Sequence, residues 1–195
     1  LYLQTNRSRK GLGNILVGLG FFFFGIGIMK TGFEAYSDSL NLTSLVSDGI
    51  LSELLFLAFG VFITVILQSS SASMAIIITA LAAGQISYLN AMTLAIGANV
   101  GTTITAMLGA MASNVDGKRI AVAHLIFNLF TGIIAFTLLR QLGWIVDQCA
   151  TWLSIADTNY MIKLAIFHTL FNLLGIIIMI PLVVPLEKLL INQIK

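Results

Sequence analysis

The stretch Gln68-Ser69-Ser70-Ser71-Ala72-Ser73 stands in the middle of a region with no Asp, Glu, Lys or Arg from Leu54 to Val115. Four serines and a glutamine crowd this one spot, and apolar side chains flank it on both sides. So dense a cluster of hydrogen-bonding groups in a charge-free run is either a seam between packed helices or the lining of a polar cavity. The path the chain takes through it decides the fold.

Composition sets the solvent. Of 195 residues 58% are hydrophobic and 9% charged, and the mean hydropathy is +1.00. Soluble domains carry about 25% charged residues, so this is the composition of an all-α polytopic membrane protein embedded in a lipid bilayer. The length allows about four to six crossings of roughly 20 residues, hence one helical unit. A net charge of +2 gives no footing for nucleic acid. The single cysteine, Cys149, cannot form an internal disulfide, and no Cys/His spacing suits a metal. Neither a phosphate-binding Walker loop nor a Ser/His/Asp or HExxH arrangement is present, so the chain is read as a non-enzyme without a cofactor. The opening Arg7-Ser-Arg9-Lys10 followed by an apolar run has the layout of a signal peptide. The run is long enough to span, however, and no small-residue cleavage site follows it.

The hydrophobic pattern predicts a membrane unit over 11–187, between a basic cytoplasmic linker at 1–10 and a cytoplasmic tail at 188–195. Within it, helices are expected over 11–30, 119–140 and 161–185. A further one, over 86–112, is expected to be broken at Gly97-Ala98-Asn99-Val100-Gly101-Thr102-Thr103. The remaining segment, 49–84, contains the serine cluster. Its second half, from Met74 to Ala83, would make a helix of about 15 Å, half of a ~30 Å hydrocarbon core. The segment is therefore either one long tilted helix or a hairpin that enters the membrane and leaves on the same side. The positive-inside rule separates the two. The hairpin places Arg7, Arg9, Lys10, Lys118, Arg119, Lys188 and Lys195 on one face, against Lys30, Arg140 and Lys163 on the other. The single helix splits the same residues evenly. The expected architecture is about four crossings plus one re-entrant helical hairpin.

Broken or re-entrant backbone is tolerated in a bilayer only where protein or a watery cavity lines it. A hairpin tip bearing Gln68, Ser69, Ser70, Ser71 and Ser73 is therefore expected to face a polar cavity. The free N–H groups at the start of the second hairpin helix favour an anion. Hydroxyls and freed carbonyls supply the oxygen ligands that Na+ prefers. Asn99, Thr102, Thr103 and Thr105 offer more of them, and discontinuous helices build ion sites in many secondary transporters. One further pattern recurs: His124-Leu-Ile-Phe127-Asn128-Leu129 returns as His168-Thr-Leu-Phe171-Asn172-Leu173. His and Asn four apart share a helix face. The preferred reading is hydrogen bonding between helices, and the alternative is a proton path.

The motifs Gln68-Ser-Ser-Ser-Ala72, Gly97-Ala-Asn-Val-Gly-Thr-Thr103 and Ala123-His124-Leu-Ile-Phe127-Asn128 together resemble the sodium/phosphate cotransporter family, its bacterial-type members above all. The resemblance runs from the glycine-rich first helix to about Leu186. It implies two inverted repeats, each with its own QSSS and hairpin, binding inorganic phosphate and Na+ between them. This chain resembles the second repeat, one half of an inverted-repeat transporter. Carried over, Ser69, Ser70 and Ser71 would contact phosphate. Gln68, Ser69, Ser71, Asn99, Thr102 and Thr103 would serve sodium, the coupling ion and the only metal implied. Because one QSSS is present, the chain is expected to be a C-terminal piece of a longer polypeptide or to meet a second chain, with Arg7 to Lys10 as the linker. The resemblance also suggests a homodimer. The expected function is sodium-coupled phosphate symport by alternating access in the plasma membrane of a bacterium (the inner membrane), as a multi-pass protein. Two rivals stand beside it: a proton-coupled anion exporter or channel, and a non-transporting membrane partner in phosphate regulation.

Overall fold

The computed structural model describes residues 7–35 and 49–194; the acidic residues Asp38 and Asp48, the first six residues and Lys195 lie outside them. Among the described residues the secondary structure is helical throughout. The helices are α1 (Arg7–Ala35), α2 (Ile50–Leu67), α3 (Ser70–Ala82), α4 (Tyr88–Ala110), α5 (Val115–Thr137), α6 (Leu139–Trp152), α7 (Tyr160–Met179) and α8 (Val183–Gln193). A 3-10 turn at Ile180–Leu182, carrying Pro181, links α7 to α8. Proline lacks the N–H that a continuing α-helix would use there. Five of the helices are long and apolar enough to cross a membrane: α1, α2, α4, α5 and the α7–α8 arm. At 13 residues, α3 is not.

The tightest packing joins α2 to α4, and glycine makes it possible. A Cβ on Gly97 would run into the Leu57 carbonyl, one on Gly60 into the Leu94 carbonyl, and one on Gly101 would lie 2.7 Å from Thr64 Cβ. In lipid, where the hydrophobic effect does not draw helices together, such close approach gains the van der Waals contact that holds them. Residue numbers rise together along this seam, from Leu57 beside Gly97 to Thr64 beside Gly101, so α2 and α4 run parallel. Helix α5 returns antiparallel to α4, with Gly132 against Val100 and Ile96, and α7 returns antiparallel to α5, with Gly175 against Thr131. The core lies among α2, α3, α4 and α7, around Ile77, Ile96, Phe167 and Phe171.

Since α3 runs back between two parallel helices, the segment 50–82 is a helix–turn–helix hairpin whose two roots lie at one end of the bundle. Side-chain contacts mark that end. Glu53 near the start of α2 pairs with Arg140 of α6 at 3.4 Å, and Tyr88 at the start of α4 packs on Tyr160 at the start of α7. Lys163 is buried there, with Asp147 at 2.9 Å and Asp157 at 3.7 Å. At the opposite end Asp116, Lys118 and Arg119 gather near Ile194, whose carbonyl accepts hydrogen bonds from Arg119 Nε and NH2.

Two expectations need correction, and one element is unanticipated. The helix over 86–112 is not broken: α4 passes through Gly97 to Thr103 without interruption, because the glycines there accommodate α2 instead of unwinding the backbone. Part of the basic linker is helical, since α1 already begins at Arg7. The stretch between 140 and 161, to which the hydrophobic pattern assigns no element, contains α6. One residue, Leu138, separates it from α5.

Candidate ion-binding site

The reversal at the serine cluster is built from two residues. Gln68 ends α2 in the left-handed conformation, with φ 51°, and Ser69 is extended and caps α3. Its Oγ accepts the Ala72 N–H at 3.2 Å, and its carbonyl accepts both the N–H and the hydroxyl of Ser73 at 3.0 Å. The Ser73 oxygen in turn accepts a bond from Thr64 Oγ1 at 2.8 Å, and both of these side chains are fully buried. The cluster thus divides by role. Ser69 caps α3 and Ser73 fastens it to α2, whereas the hydroxyls of Ser70 and Ser71 have no partner among the described hydrogen bonds. The first-turn N–H groups of Ser70 and Ser71 have no intrahelical acceptor either.

Ser70 and Ser71 line a cleft of about 450 Å³ walled by Phe22 and Ile26 of α1 and by His168 and Thr169 of α7. Serine, imidazole and the open end of a helix therefore share one space. Gln68 is exposed at the turn itself.

Asn99 lies two residues before Gly101, which packs on Thr64. Its amide nitrogen donates to Asn128 Oδ1 of α5 at 2.8 Å and to Asn172 Oδ1 of α7 at 3.3 Å. Those two asparagines are held alike: Asn128 Nδ2 donates to the His124 carbonyl at 3.0 Å, and Asn172 Nδ2 to the His168 carbonyl at 2.7 Å. The repeated His/Asn pattern thus builds a three-helix amide junction in which histidine supplies its backbone. The two imidazoles line separate cavities, His168 the serine cleft and His124 a largely apolar groove of about 710 Å³ between α5 and the α7–α8 arm.

Thr102, Thr103 and Thr105 donate their hydroxyl protons to the carbonyls of Asn99, Val100 and Thr102, at 2.5, 2.6 and 2.7 Å. A hydroxyl whose proton is spent in this way keeps its lone pairs for an incoming cation. Thr103 is fully buried and Thr102 partly so. Thr64 was missed in the sequence, where it reads as one polar residue in an apolar helix; its only signal is a position four residues before the turn. The described residues contain no group of three His, Cys, Asp or Glu able to hold a metal.

Residues far apart in the sequence therefore meet in one uncharged polar layer. Thr64 and Ser73 tie the hairpin to its own first helix, Gly101 ties that helix to α4, and Asn99 ties α4 to α5 and α7. The model of one family, described as Na+/Pi-cotransporter, matches residues 33–154, which contain the hairpin, α4 and the first histidine–asparagine pair.

The chain belongs to the Na+/Pi-cotransporter family. It is 29% identical over 96% of its length to YjbB of Escherichia coli K12, provisionally named an inorganic phosphate export protein, and covers 33% of that protein. To YqeW of Bacillus subtilis, named as uncharacterized, it is 29% identical over 93% of its length, covering 57% of that relative. To human sodium-dependent phosphate transport protein 2B it is 27% identical over 64% of its length, covering 20%. The chain thus spans about a third of YjbB and a fifth of the human family member. No solved structure matches it significantly. Family membership and five span-length apolar helices make this a multi-pass membrane protein.

Proposed function

We propose that this chain supplies one of two repeats of a sodium-coupled phosphate symporter, in which the α2–α3 hairpin re-enters the membrane and its tip binds the ions. The observation that carries this reading is the polar layer: unbonded hydroxyls and helix N–H groups at Ser70 and Ser71 open into a cleft beside His168, and the Thr64–Ser73 bond and Gly101 tie the same hairpin to the Asn99 junction of α4. A buried lysine or arginine would hold phosphate tightly but would leave a costly unpaired charge in the empty site. Sodium, arriving with the anion, supplies the positive charge only while the site is loaded. Ser70 and Ser71 donate to phosphate, while Gln68, Asn99, Thr102 and Thr103 offer oxygens to sodium. Ser69 holds the turn in shape. Alternating access then exposes the layer to one side at a time, with the partner repeat closing the other half.

The test is phosphate flux in proteoliposomes containing the whole polypeptide. An inward sodium gradient is expected to drive phosphate accumulation, and Ser71→Ala to abolish most of it. Accumulation that ignores sodium and follows a proton gradient would overturn the coupling. A second reading, net phosphate export, is favoured by the name of YjbB, which aligns over nearly the whole chain. Vesicles loaded with phosphate and sodium separate the two, because an exporter coupled to another force releases phosphate without an outward sodium gradient.

A further inference from the structure

Both tryptophans of the chain, Trp144 and Trp152, lie on α6, and they are 64% and 81% exposed. Leu139, Leu142, Gly143, Val146 and Ala150 form the buried stripe of this helix, and Met92 of α4 covers Gly143. The two flanks of that stripe differ in chemistry. At 100° per residue, Ile145 and Trp152 share one flank, while Arg140, Asp147 and Thr151 share the other, with Trp144 at its outer edge. A helix wholly in water has no use for an apolar flank, and one wholly in hydrocarbon could not carry the charged one. At 14 residues, about 21 Å, α6 is also too short to span. It is joined through Leu138 to α5 and through a short link to α7, and around those joints exposed apolar side chains (Ile133, Leu138, Leu153, Met161, Ile162) alternate with exposed polar ones (Thr137, Ser154, Asp157, Thr158). The outward surface of α6 thus meets the ends of two span-length helices where apolar surface gives way to polar.

We propose that α6 lies in the headgroup region of the bilayer, at the end of the bundle where the α2–α3 hairpin has its roots. Ile145 and Trp152 face the acyl chains, and Arg140 and Asp147 face water. Tryptophan favours this zone because its ring is apolar and its N–H is not. The salt bridges Arg140–Glu53 and Asp147–Lys163 fasten the helix to the first turns of α2 and α7.

Tryptophan fluorescence of the whole polypeptide in vesicles tests this placement, with phosphatidylcholine brominated either near the headgroup or near the chain terminus. The signal of each residue is obtained by difference from Trp144→Phe and Trp152→Phe. The signal lost in Trp152→Phe is expected to be quenched at least about twofold more by shallow bromines than by deep ones, as for an interfacial indole. Strong quenching by aqueous acrylamide, with none by either lipid, would place α6 in water and overturn the proposal. Blue-shifted emission insensitive to both quenchers would overturn it in favour of a covering protein surface, such as a second copy. Should Trp152→Phe fail to fold, the difference signal of Trp152→Tyr, which keeps a larger ring and a polar edge, decides in its place.

Discussion

Ser69 and Ser71 stand two residues apart and are expected to fail differently. Ser69 Oγ caps α3, so Ser69→Ala costs about 1 kcal/mol of stability, typical of a lost N-cap; thermal unfolding in detergent reads it. Ser71→Ala leaves the melting temperature unchanged and raises the phosphate KM by about tenfold or more, since a hydrogen bond to a charged group is worth about 1.5–3 kcal/mol. If both variants melt alike and transport alike, the division of roles drawn from the hydrogen bonds is wrong. Asn99→Ala removes the donor shared by Asn128 and Asn172. Hydrogen bonds between membrane helices are worth about 0.6 kcal/mol on average and up to about 1.7, so a loss in that range is expected. A double-mutant cycle with Asn172→Ala should show coupling, and strict additivity would mean the junction is not energetically shared.

Helix by helix, the glycines make the sharpest prediction. Gly97→Ala drives a methyl into the Leu57 carbonyl, and overpacking of this kind costs about 1–3 kcal/mol. Gly20→Ala in α1 meets nothing within 4 Å and is expected to be neutral or stabilising by up to about 1 kcal/mol, the propensity gain of Ala over Gly. Gly97→Ala should lower the melting temperature, and Gly20→Ala should leave it unchanged or raise it. The same glycines explain what the sequence could not convey. Glycine both unwinds helices and admits a neighbouring backbone, and only the partner helix, forty positions upstream at Leu57, tells which use applies. The motif Gly97–Thr103 was therefore legible as special but not as continuous helix. The turn at Gln68 and Ser69 was readable, because hydroxyls packed into a charge-free run beside a helix too short to span admit few explanations. Helix α6 was not: a hydropathy window of about 19 residues averages its apolar and charged flanks away.

For the molecule as a whole, chain direction matters more than any single contact. Parallel α2 and α4 place both roots of the hairpin at the end that holds Glu53, Arg140 and Lys163, and the tip reaches the polar layer from there. The lysine and arginine distribution had already favoured that arrangement, since it counts the same reversal from outside. The composition made the membrane and the helices plain. The proposed ions rest on motif resemblance, because hydroxyl and amide oxygens alone do not name an anion.

The glycine seam between α2 and α4 has a mechanical consequence. Two helices whose backbones touch at Gly60, Gly97 and Gly101 cannot slide without collision, so in the proposed transport cycle they are expected to turn as a single lever that carries the serine tip. Helix α1, which buries little beyond Gly13, is the part against which that lever can swing. Spin labels at the exposed Ile66 and Leu108 are expected to keep one separation with and without sodium phosphate. Labels at Phe23 and Ile66 should report two.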